Sequence, residues 1–355
     1  MALIRKRKLT DQQSRRIKKQ QQNQQVIDQD DLFDGVVIAN YGKQLEVQAT
    51  SLPTHLPSAP SVAEGEPIPF WQPITLHSVW RCHTRTNLPL IATGDRVRLS
   101  ADPNTGLGRI EALYERQNVI TRPDRYHKLK PVASNVDLLA IVFAPLPAPA
   151  AQLIDRYLVV CHHSEVTPLL VLNKADLLAA PEFDDILTLL KEYHALGYHT
   201  LTTQANGDLS ALHAQVAGKT VIFAGQSGVG KSSLANQLLP NADQAVNTIS
   251  TLSQLGQHTT TTSRLLPFVP TDLQQGAVID TPGIREYGLW HLTKADVLAG
   301  FIELAPLASQ CRFRDCQHTP ESLGCALWHA VEQGEVLARR VESLVTLQAE
   351  AQAAV

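Results

Sequence analysis

The sequence predicts an α/β protein in which a parallel sheet is preceded by a small β-barrel and followed by a short helical region that binds metal. Three observations predict this architecture. Short alternating segments separated by turn residues fill residues 34–122, and continuous apolar strands alternate with helices over residues 123–290. Three of the five cysteines lie close together after residue 310. A chain of 355 residues is long enough for two or three such units.

The barrel is predicted from strand-like runs between residues 34 and 122. Residues 35–40 and 44–49 flank Tyr41-Gly42-Lys43 and predict a hairpin, and further strands are expected at 78–82, 94–99 and 108–113. About five short strands are typical of an OB-type barrel. Such barrels bind oligonucleotides through a strand face and its loops. They also dock proteins or support a neighbouring domain, and the sequence favours neither role over the other.

Basic residues are concentrated at the N-terminus. Residues 1–25 contain eight Lys or Arg and one Asp, a net charge of +8 − 1 = +7, so the rest of the chain carries −3 − 7 = −10. We expect residues 1–33 to form a basic tail that is disordered or marginally helical, because large apolar residues are scarce there. A basic tail on an acidic body favours a polyanionic partner such as nucleic acid. A tail that only improves solubility is the alternative.

A phosphate-binding loop is predicted at residues 225–232, which fit G-x-x-x-x-G-K-[ST]. An apolar strand over 220–224 precedes the loop, and a helix over 233–239 follows it. In this context backbone N–H groups point at phosphate oxygens, Lys231 reaches the β- and γ-phosphates, and the Ser232 hydroxyl ligates Mg²⁺. The candidate residues are Gly225, Gln226, Ser227, Gly228, Val229, Gly230, Lys231, Ser232 and Ser233.

A base-specific loop is predicted at Asn173, Lys174, Ala175 and Asp176, which follow the apolar strand 168–172. The Asp176 carboxylate only accepts hydrogen bonds, and guanine offers two N–H donors on one edge, whereas adenine does not. Lys174 can pack along the base, and Asn173 can tie this loop to the phosphate loop. GTP is therefore the expected nucleotide, bound together with Mg²⁺.

A third nucleotide segment is predicted where the strand at 277–279 ends in Asp280-Thr281-Pro282-Gly283. Asp280 can hold Mg²⁺ through water, and the Gly283 N–H can contact the γ-phosphate. Residues 256–262 lie between the phosphate loop and this segment. A threonine there closes over Mg²⁺ and the γ-phosphate as a switch, and we favour Thr260, with Thr259 next.

Two features depart from most GTPases. Ile284 follows Gly283, where many GTPases have a glutamine that orients water. Another group must position the water, and His258 is the best local candidate, although a histidine in a polar loop is often an ordinary surface residue. The base loop also precedes the phosphate loop in the chain, which indicates a circular permutation.

A metal site is predicted from Cys311-x₄-Cys316-x-His318-x₆-Cys325. Three thiolates and one imidazole form the donor set of a closed, structural zinc site. Cys82 and Cys161 are expected to be buried and unreactive. A final helix is expected to bury one face formed by Leu337, Val341, Leu344 and Val345.

The order and content of these motifs resemble the circularly permuted GTPases of the RsgA (YjeQ) family. The most specific segments are 155–158, 223–233, 256–261 and Phe313-Arg314-Asp315-Cys316. The resemblance implies a circularly permuted P-loop GTPase domain (123–290), an N-terminal OB-type barrel (34–122) and a C-terminal helical zinc-binding domain (291–355). It also implies late maturation of the 30S ribosomal subunit, binding to 16S rRNA, stimulation by the small subunit and a catalytic role for His258. The family's guanine loop has a weak counterpart at Thr202-Thr203, which we leave out of the site.

The expected protein is a cytoplasmic GTPase. Prolines interrupt its longest apolar run, so we expect no membrane partner, and we expect a monomer. Because the chain after Gly283 runs directly toward the zinc region, GTP should hold the protein on the 30S subunit and hydrolysis should release it. An RNA-binding assembly chaperone that uses GTP as a structural or regulatory ligand, with little turnover, is the alternative.

Overall fold

The structure is a computed structural model, and it describes residues 29–42, 44–61, 69–123, 128–204, 207–239, 263–281, 288–289 and 291–352. Most of the predicted basic tail, residues 1–28, lies outside these ranges. The rest of the tail forms a 3-10 turn, Gln29–Asp31, and the start of the first strand. None of the helices in these ranges is long and apolar enough to cross a lipid bilayer.

The N-terminal region is a closed barrel of five strands, as predicted. Strand β1 pairs with both β2 and β4, and β5 lies between β3 and β4, so the ring runs β1-β2-β3-β5-β4 and closes with OB-type order. Trp80 is completely buried in the barrel and meets the ring of Phe33 edge-on at 6.4 Å. The strands are β1 (Phe33–Asn40), β2 (Leu45–Ala49), β3 (Val79–Thr84), β4 (Arg96–Asp102) and β5 (Leu107–Leu113).

A two-stranded hairpin that was not predicted follows the barrel. It consists of β6 (Val119–Pro123) and β7 (Leu129–Ser134), and the expected domain boundary at residue 122 falls inside it. The Ser134 hydroxyl donates to the buried Asp95 of the barrel at 2.6 Å, and Arg116 donates to the same carboxylate at 2.7 Å. The hairpin is therefore attached to the barrel by a buried polar network.

The α/β region contains a sheet with the order β10-β9-β8-β11-β13-β12. Five of these strands are parallel, and β12 runs antiparallel to β13. Every residue of β8 is buried, as expected for a strand covered by helices on both faces. The strands are β8 (Leu138–Phe143), β9 (Thr167–Leu172), β10 (His199–Thr202), β11 (Thr220–Ala224), β12 (Ser263–Val269) and β13 (Asp272–Asp280).

Helices and 3-10 turns connect these strands. The helices are α1 (Ala151–His163), α2 (Asp184–Ala195), α3 (Ser210–Val216) and α4 (Lys231–Leu238), and the 3-10 turns are Ala175–Ala179 and Pro181–Phe183. Helix α3 was not predicted. Because the strands are parallel, their carboxyl ends meet at one edge of the sheet, where nucleotide sites form in such folds.

Strand β12 was also missed, and it joins the two sheets. Ala39 of β1 is paired with Arg264, and Asn40 with Ser263. Through this pairing the barrel and the α/β region share one continuous eleven-stranded sheet. The edge of the α/β sheet is therefore covered by the barrel.

The C-terminal region packs on the α/β region through a common core. Its helices are α5 (Lys294–Ala299), α6 (Ala305–Ala308), α7 (Ala326–Glu332) and α8 (Ala338–Gln352). Phe301, Leu327 and Leu344 belong to the same buried cluster as Tyr157 of α1 and Ile141 of β8. The circularly permuted α/β region, the barrel and the C-terminal helices with clustered metal ligands thus confirm the predicted fold class.

The buried face of α8 differs from the prediction. Leu337 precedes the helix and is 37% exposed, and Val345 is only partly buried, whereas Val341 and Leu344 are buried as expected. The face continues instead through Leu347 and Ala351. Residues spaced three and four apart share one face of a helix, so the face begins inside α8.

Arginine side chains complete this interface. Arg340 of α8 is 1% exposed, pairs with Asp155 of α1 and donates two hydrogen bonds to Glu303 at 2.6 and 3.0 Å. Its guanidinium also lies over the Phe301 ring, 4.3 Å from the ring centroid. The next residue of α1, Arg156, pairs with Glu350 near the end of α8. Residues 155–158 of α1, one of the segments that resemble the family, therefore attach the last helix to the α/β region.

Candidate nucleotide-binding site and metal centre

The phosphate-binding loop begins where β11 ends, between β8 and β13. Gly225 has φ 131°, and a Cβ there would lie 2.0 Å from the Val142 carbonyl oxygen of β8. Gly230 has φ 94°, and its Cβ would lie 2.3 Å from Asn173 Nδ2. Only glycine fits these two positions because a side chain would collide with the neighbouring strand and with the base loop.

Asn173 connects the two predicted loops. Its side chain is 2% exposed, and Nδ2 donates to the Val229 carbonyl oxygen at 3.0 Å. Its backbone N–H donates to the Phe143 carbonyl oxygen at 2.8 Å. The structure therefore brings the base loop and the phosphate loop together, as the sequence suggested for Asn173.

Lys174 and Asp176 lie at the same edge of the sheet. Lys174 adopts a left-handed conformation with φ 59°, and Nζ donates to the Leu146 carbonyl oxygen at 2.7 Å. The Asp176 side chain is exposed in the 3-10 turn that begins at Ala175. Its carboxylate is accessible to a base approaching this edge.

Thr203 is a further residue of this site that was left out of the predicted set. It is 5% exposed, and its hydroxyl donates to Asn173 Oδ1 at 3.0 Å. Its carbonyl oxygen accepts the Ala175 N–H at 3.0 Å. Its place directly after β10, and so at the carboxyl edge of the sheet, was the signal in the sequence. The residue after β10 is thus joined to the base loop by two hydrogen bonds.

The remaining phosphate-loop residues surround the N-terminus of α4. Lys231 Nζ donates to the Gln226 carbonyl oxygen at 2.6 Å. Val229 is buried, Ser232 is partly buried, and Ser227, Gly228 and Ser233 are exposed. The buried Val229 and the Lys231 hydrogen bond therefore hold the loop in place. Its exposed residues are accessible to a nucleotide.

Asp280 is the last residue of β13, the strand next to β11, and is partly buried. The structure thus places it at the same sheet edge as the phosphate loop. His258, Thr260 and Gly283 lie outside the described residues.

The four predicted metal ligands converge in the C-terminal region. The ligand atoms of Cys311, Cys316, His318 and Cys325 all lie within 4.8 Å of one another. His318 Nδ1 lies 3.7 Å from Cys311 Sγ and 3.6 Å from Cys325 Sγ. Three soft sulfur donors and one imidazole grouped in this way fit a structural zinc site.

The surroundings of the four ligands affect both their protonation and their orientation. Burial and the nearby Lys294 charge lower the pKa of His318, so its imidazole is neutral and can coordinate a cation. Burial raises the pKa of the Cys325 thiol to about 11, and a bound zinc ion would favour its thiolate. The Ala326 N–H donates to Cys311 Sγ, and the Trp328 indole donates to the His318 carbonyl oxygen at 2.7 Å. These bonds fix the orientation of the ligands.

The other two cysteines are buried outside this cluster, as predicted. Burial raises the pKa of the Cys82 thiol to about 12 and also raises that of Cys161. Both are therefore protonated thiols of low reactivity.

Comparisons with known proteins agree with this geometry. Residues 113–290 match the family model described as RsgA GTPase. A protein of Pseudomonas syringae pv. tomato named small ribosomal subunit biogenesis GTPase RsgA is 47% identical over 311 residues, which cover 87% of this chain and 83% of the relative. A protein of the same name from Pseudomonas putida strain F1 is 46% identical, with the same coverage.

Two solved structures share the fold. The structure of YloQ, described as a circularly permuted GTPase, has a TM-score of 0.64 and 25% identity, and the alignment covers 93% of this chain and 98% of YloQ. YjeQ from Thermotoga maritima has a TM-score of 0.64 and 28% identity, with 90% and 98% covered. The family match over half of the sequence and the high identity to curated relatives lead to one conclusion: this chain belongs to the RsgA GTPase family.

Proposed function

We propose that the protein hydrolyses GTP, with Mg²⁺, during late assembly of the 30S ribosomal subunit in the cytoplasm. Relatives 47% identical over most of the chain bear the name small ribosomal subunit biogenesis GTPase. The observation that carries the proposal is the buried hydrogen bond from Asn173 to Val229, which joins the base loop to the phosphate loop. The protein is expected to act as a monomer.

The described residues supply most of the nucleotide contacts in this proposal. Asp176 accepts the two N–H donors of guanine, and Lys174 lies along the base. Residues 225–230 direct backbone N–H groups at the phosphates, and Ser233 lies in the first turn of the helix behind them. Lys231 leaves the Gln226 carbonyl oxygen to neutralise the β- and γ-phosphates. GTP and GDP share these contacts except those to the γ-phosphate.

Hydrolysis requires groups that respond to the γ-phosphate. Ser232 and Thr260 would hold Mg²⁺ directly and Asp280 would hold it through water, and the ion supplies charge stabilisation for the transferred phosphoryl group. Gly283 would donate its N–H to the γ-phosphate. Because Ile284 cannot orient water, His258 takes that role by accepting or relaying a hydrogen bond from the attacking water.

The partner in this proposal is the small subunit, bound through 16S rRNA. The barrel and the basic residues 1–25 are the two candidate RNA-binding elements. The subunit stimulates turnover, and the GTP-bound form binds the subunit more tightly than the GDP-bound form. Hydrolysis then releases the protein.

Turnover measured with and without purified 30S subunits tests the proposal against a chaperone that only binds GTP. We expect low turnover alone and a large stimulation by 30S subunits. Lys231→Ala should abolish both rates by removing a phosphate contact. His258→Ala should retain GTP binding and lose stimulated turnover. Absence of stimulation in the parental protein would favour the chaperone alternative, and parental turnover by His258→Ala would remove the histidine from catalysis.

A further inference from the structure

The strand that lies between the two nucleotide loops ends in an apolar segment that belongs to neither loop. The base loop follows β9 and the phosphate loop follows β11, and β8 lies between these two strands in the sheet. The chain continues from β8 through residues 144–150, which consist only of alanine, proline and leucine. Residues 144–147 are therefore placed between the loop that would hold the base and the loop that would hold the phosphates.

Contacts on both sides support this placement. The Leu146 carbonyl oxygen accepts a hydrogen bond from Lys174 Nζ of the base loop at 2.7 Å. Pro147 lies against the phosphate loop, where a Cβ added to Gly228 would be 3.6 Å from the Pro147 Cδ. The sugar of a nucleotide links its base to its phosphates. A nucleotide bound to both loops must therefore carry its sugar across the end of β8.

Leu146 presents a large apolar side chain at this point. It is 51% exposed, whereas Ala144 and Pro145 are buried. The prolines on either side restrict the backbone, so little freedom is lost when a ligand contacts the leucine. A single exposed leucine needs no explanation on most protein surfaces. This one lies where the sugar of a bound nucleotide must pass.

We propose that Leu146 is a nucleotide-binding residue that covers the ribose of GTP and GDP. A ribose ring presents C–H groups, and an apolar side chain can exclude water from them without a hydrogen-bond partner. The leucine and the sugar both lose apolar surface to the contact, which favours binding. This inference rests on the proposed function, because it assigns a residue to the sugar of the same nucleotide.

Calorimetric titration of the full chain with unlabelled GDP and a non-hydrolysable GTP analogue measures the contact. Leu146→Ala should weaken both by roughly fivefold, as expected for returning about half of a leucine side chain to water. The heat-capacity change of binding should become less negative, since less apolar surface is buried. Leu146→Met should bind nearly as well as the parental protein, because methionine covers a similar area. Both variants keep the carbonyl oxygen that accepts the Lys174 hydrogen bond.

The chain supplies a matched control between β2 and β3 of the barrel. Leu56 is 55% exposed and, like Leu146, precedes a proline. Leu56→Ala should keep the parental affinity and heat-capacity change. A second measurement locates the contact on the nucleotide. In protein with isotope-labelled leucine methyl groups, the ribose protons of bound GDP should show nuclear Overhauser effects to a leucine methyl resonance that is missing from Leu146→Ala and Leu146→Met.

The outcomes separate this inference from the proposed function. If the parental protein binds neither nucleotide, the proposed function fails and this inference fails with it. If it binds both and Leu146→Ala binds them equally well, only the ribose contact is refuted. A loss confined to the GTP analogue would also refute the contact, because GDP has the same sugar. An equal loss in Leu56→Ala, or a weaker affinity of Leu146→Ala with an unchanged heat-capacity change, would assign the effect to protein structure instead. Absence of the ribose effects in the parental protein would overturn the inference even if Leu146→Ala folds poorly.

Discussion

The hydrogen bond between the two loops makes Asn173 the most informative position to change. Asn173→Ala removes the donor to the Val229 carbonyl oxygen and the acceptor of the Thr203 hydroxyl, both at 3.0 Å and both buried. The backbone bond to Phe143 remains, because it does not involve the side chain. Strand β9 and its turn should therefore stay in place while the phosphate loop loses its connection to the base loop.

The cost can be estimated from the two groups left without partners. Each buried polar group deprived of its hydrogen bond costs about 1–2 kcal/mol. The arrangement in which the two loops are joined is therefore destabilised by about 2–4 kcal/mol. With 1.4 kcal/mol for each tenfold change, affinity should fall roughly 30- to 700-fold. GTP and GDP should be affected alike, because Val229 precedes the helix that faces the phosphates common to both.

Equilibrium titration with fluorescent GTP and GDP analogues measures this loss. Thr203→Val is the matched control, since it keeps the Asn173–Val229 bond and removes only the hydroxyl, for an expected loss of about fivefold. Parental affinity in Asn173→Ala would refute the reasoning. A loss confined to GTP would also refute it, because it would place the effect at the γ-phosphate.

Three further predictions concern the base, the metal and the helix interface. Asp176→Asn should weaken GTP binding and shift preference toward xanthine nucleotides, because an amide N–H₂ replaces one acceptor; competition titrations with GTP and XTP check this. Protein purified without chelator should contain one zinc per chain by metal analysis, and Cys316→Ser should lose that zinc and unfold at lower denaturant, since the metal region shares the main core. Arg340→Met leaves two carboxylates without their buried partner and should cost about 3–5 kcal/mol in chemical denaturation. Arg339→Met, whose pair with Glu192 is about one-quarter exposed on each side, should cost no more than about 1 kcal/mol, and equal losses for the two variants would contradict this account.

The arrangement of the described loops and metal ligands could be predicted from sequence because each pattern is local. The phosphate loop, the Asn173–Asp176 loop and the four metal ligands are short patterns whose spacing determines their geometry. Strands β8, β9 and β11 were also recognisable, since continuous apolar runs are typical of strands covered on both faces. The role of Asn173 followed from its position at the end of such a strand.

The missed elements depend on distant partners. Strand β12 contains Pro267 and has only two fully buried residues, so it lacks the pattern of a central strand. It forms a hairpin with β13, and its other neighbour is β1, more than 200 positions earlier. Hairpin β6–β7 was missed because Pro123 and Pro131 interrupt its short strand patterns. The burial of Arg340 could not be inferred from periodicity, because Asp155 reaches it from α1 and Glu303 from the turn between α5 and α6.

The Asp155–Arg340 pair has a consequence for synthesis of the chain. The two residues are separated by 185 positions, and at about 5–20 residues per second roughly 10–40 s pass between their additions. During that interval the nascent α1 helix has its carboxylate but lacks the arginine that neutralises it, and the apolar surface that α8 covers is exposed. We expect the barrel to fold first, whereas the α/β region closes only when the last helix has left the ribosome. A chain truncated before Ala338 should therefore be prone to aggregation even though it contains every nucleotide-binding motif.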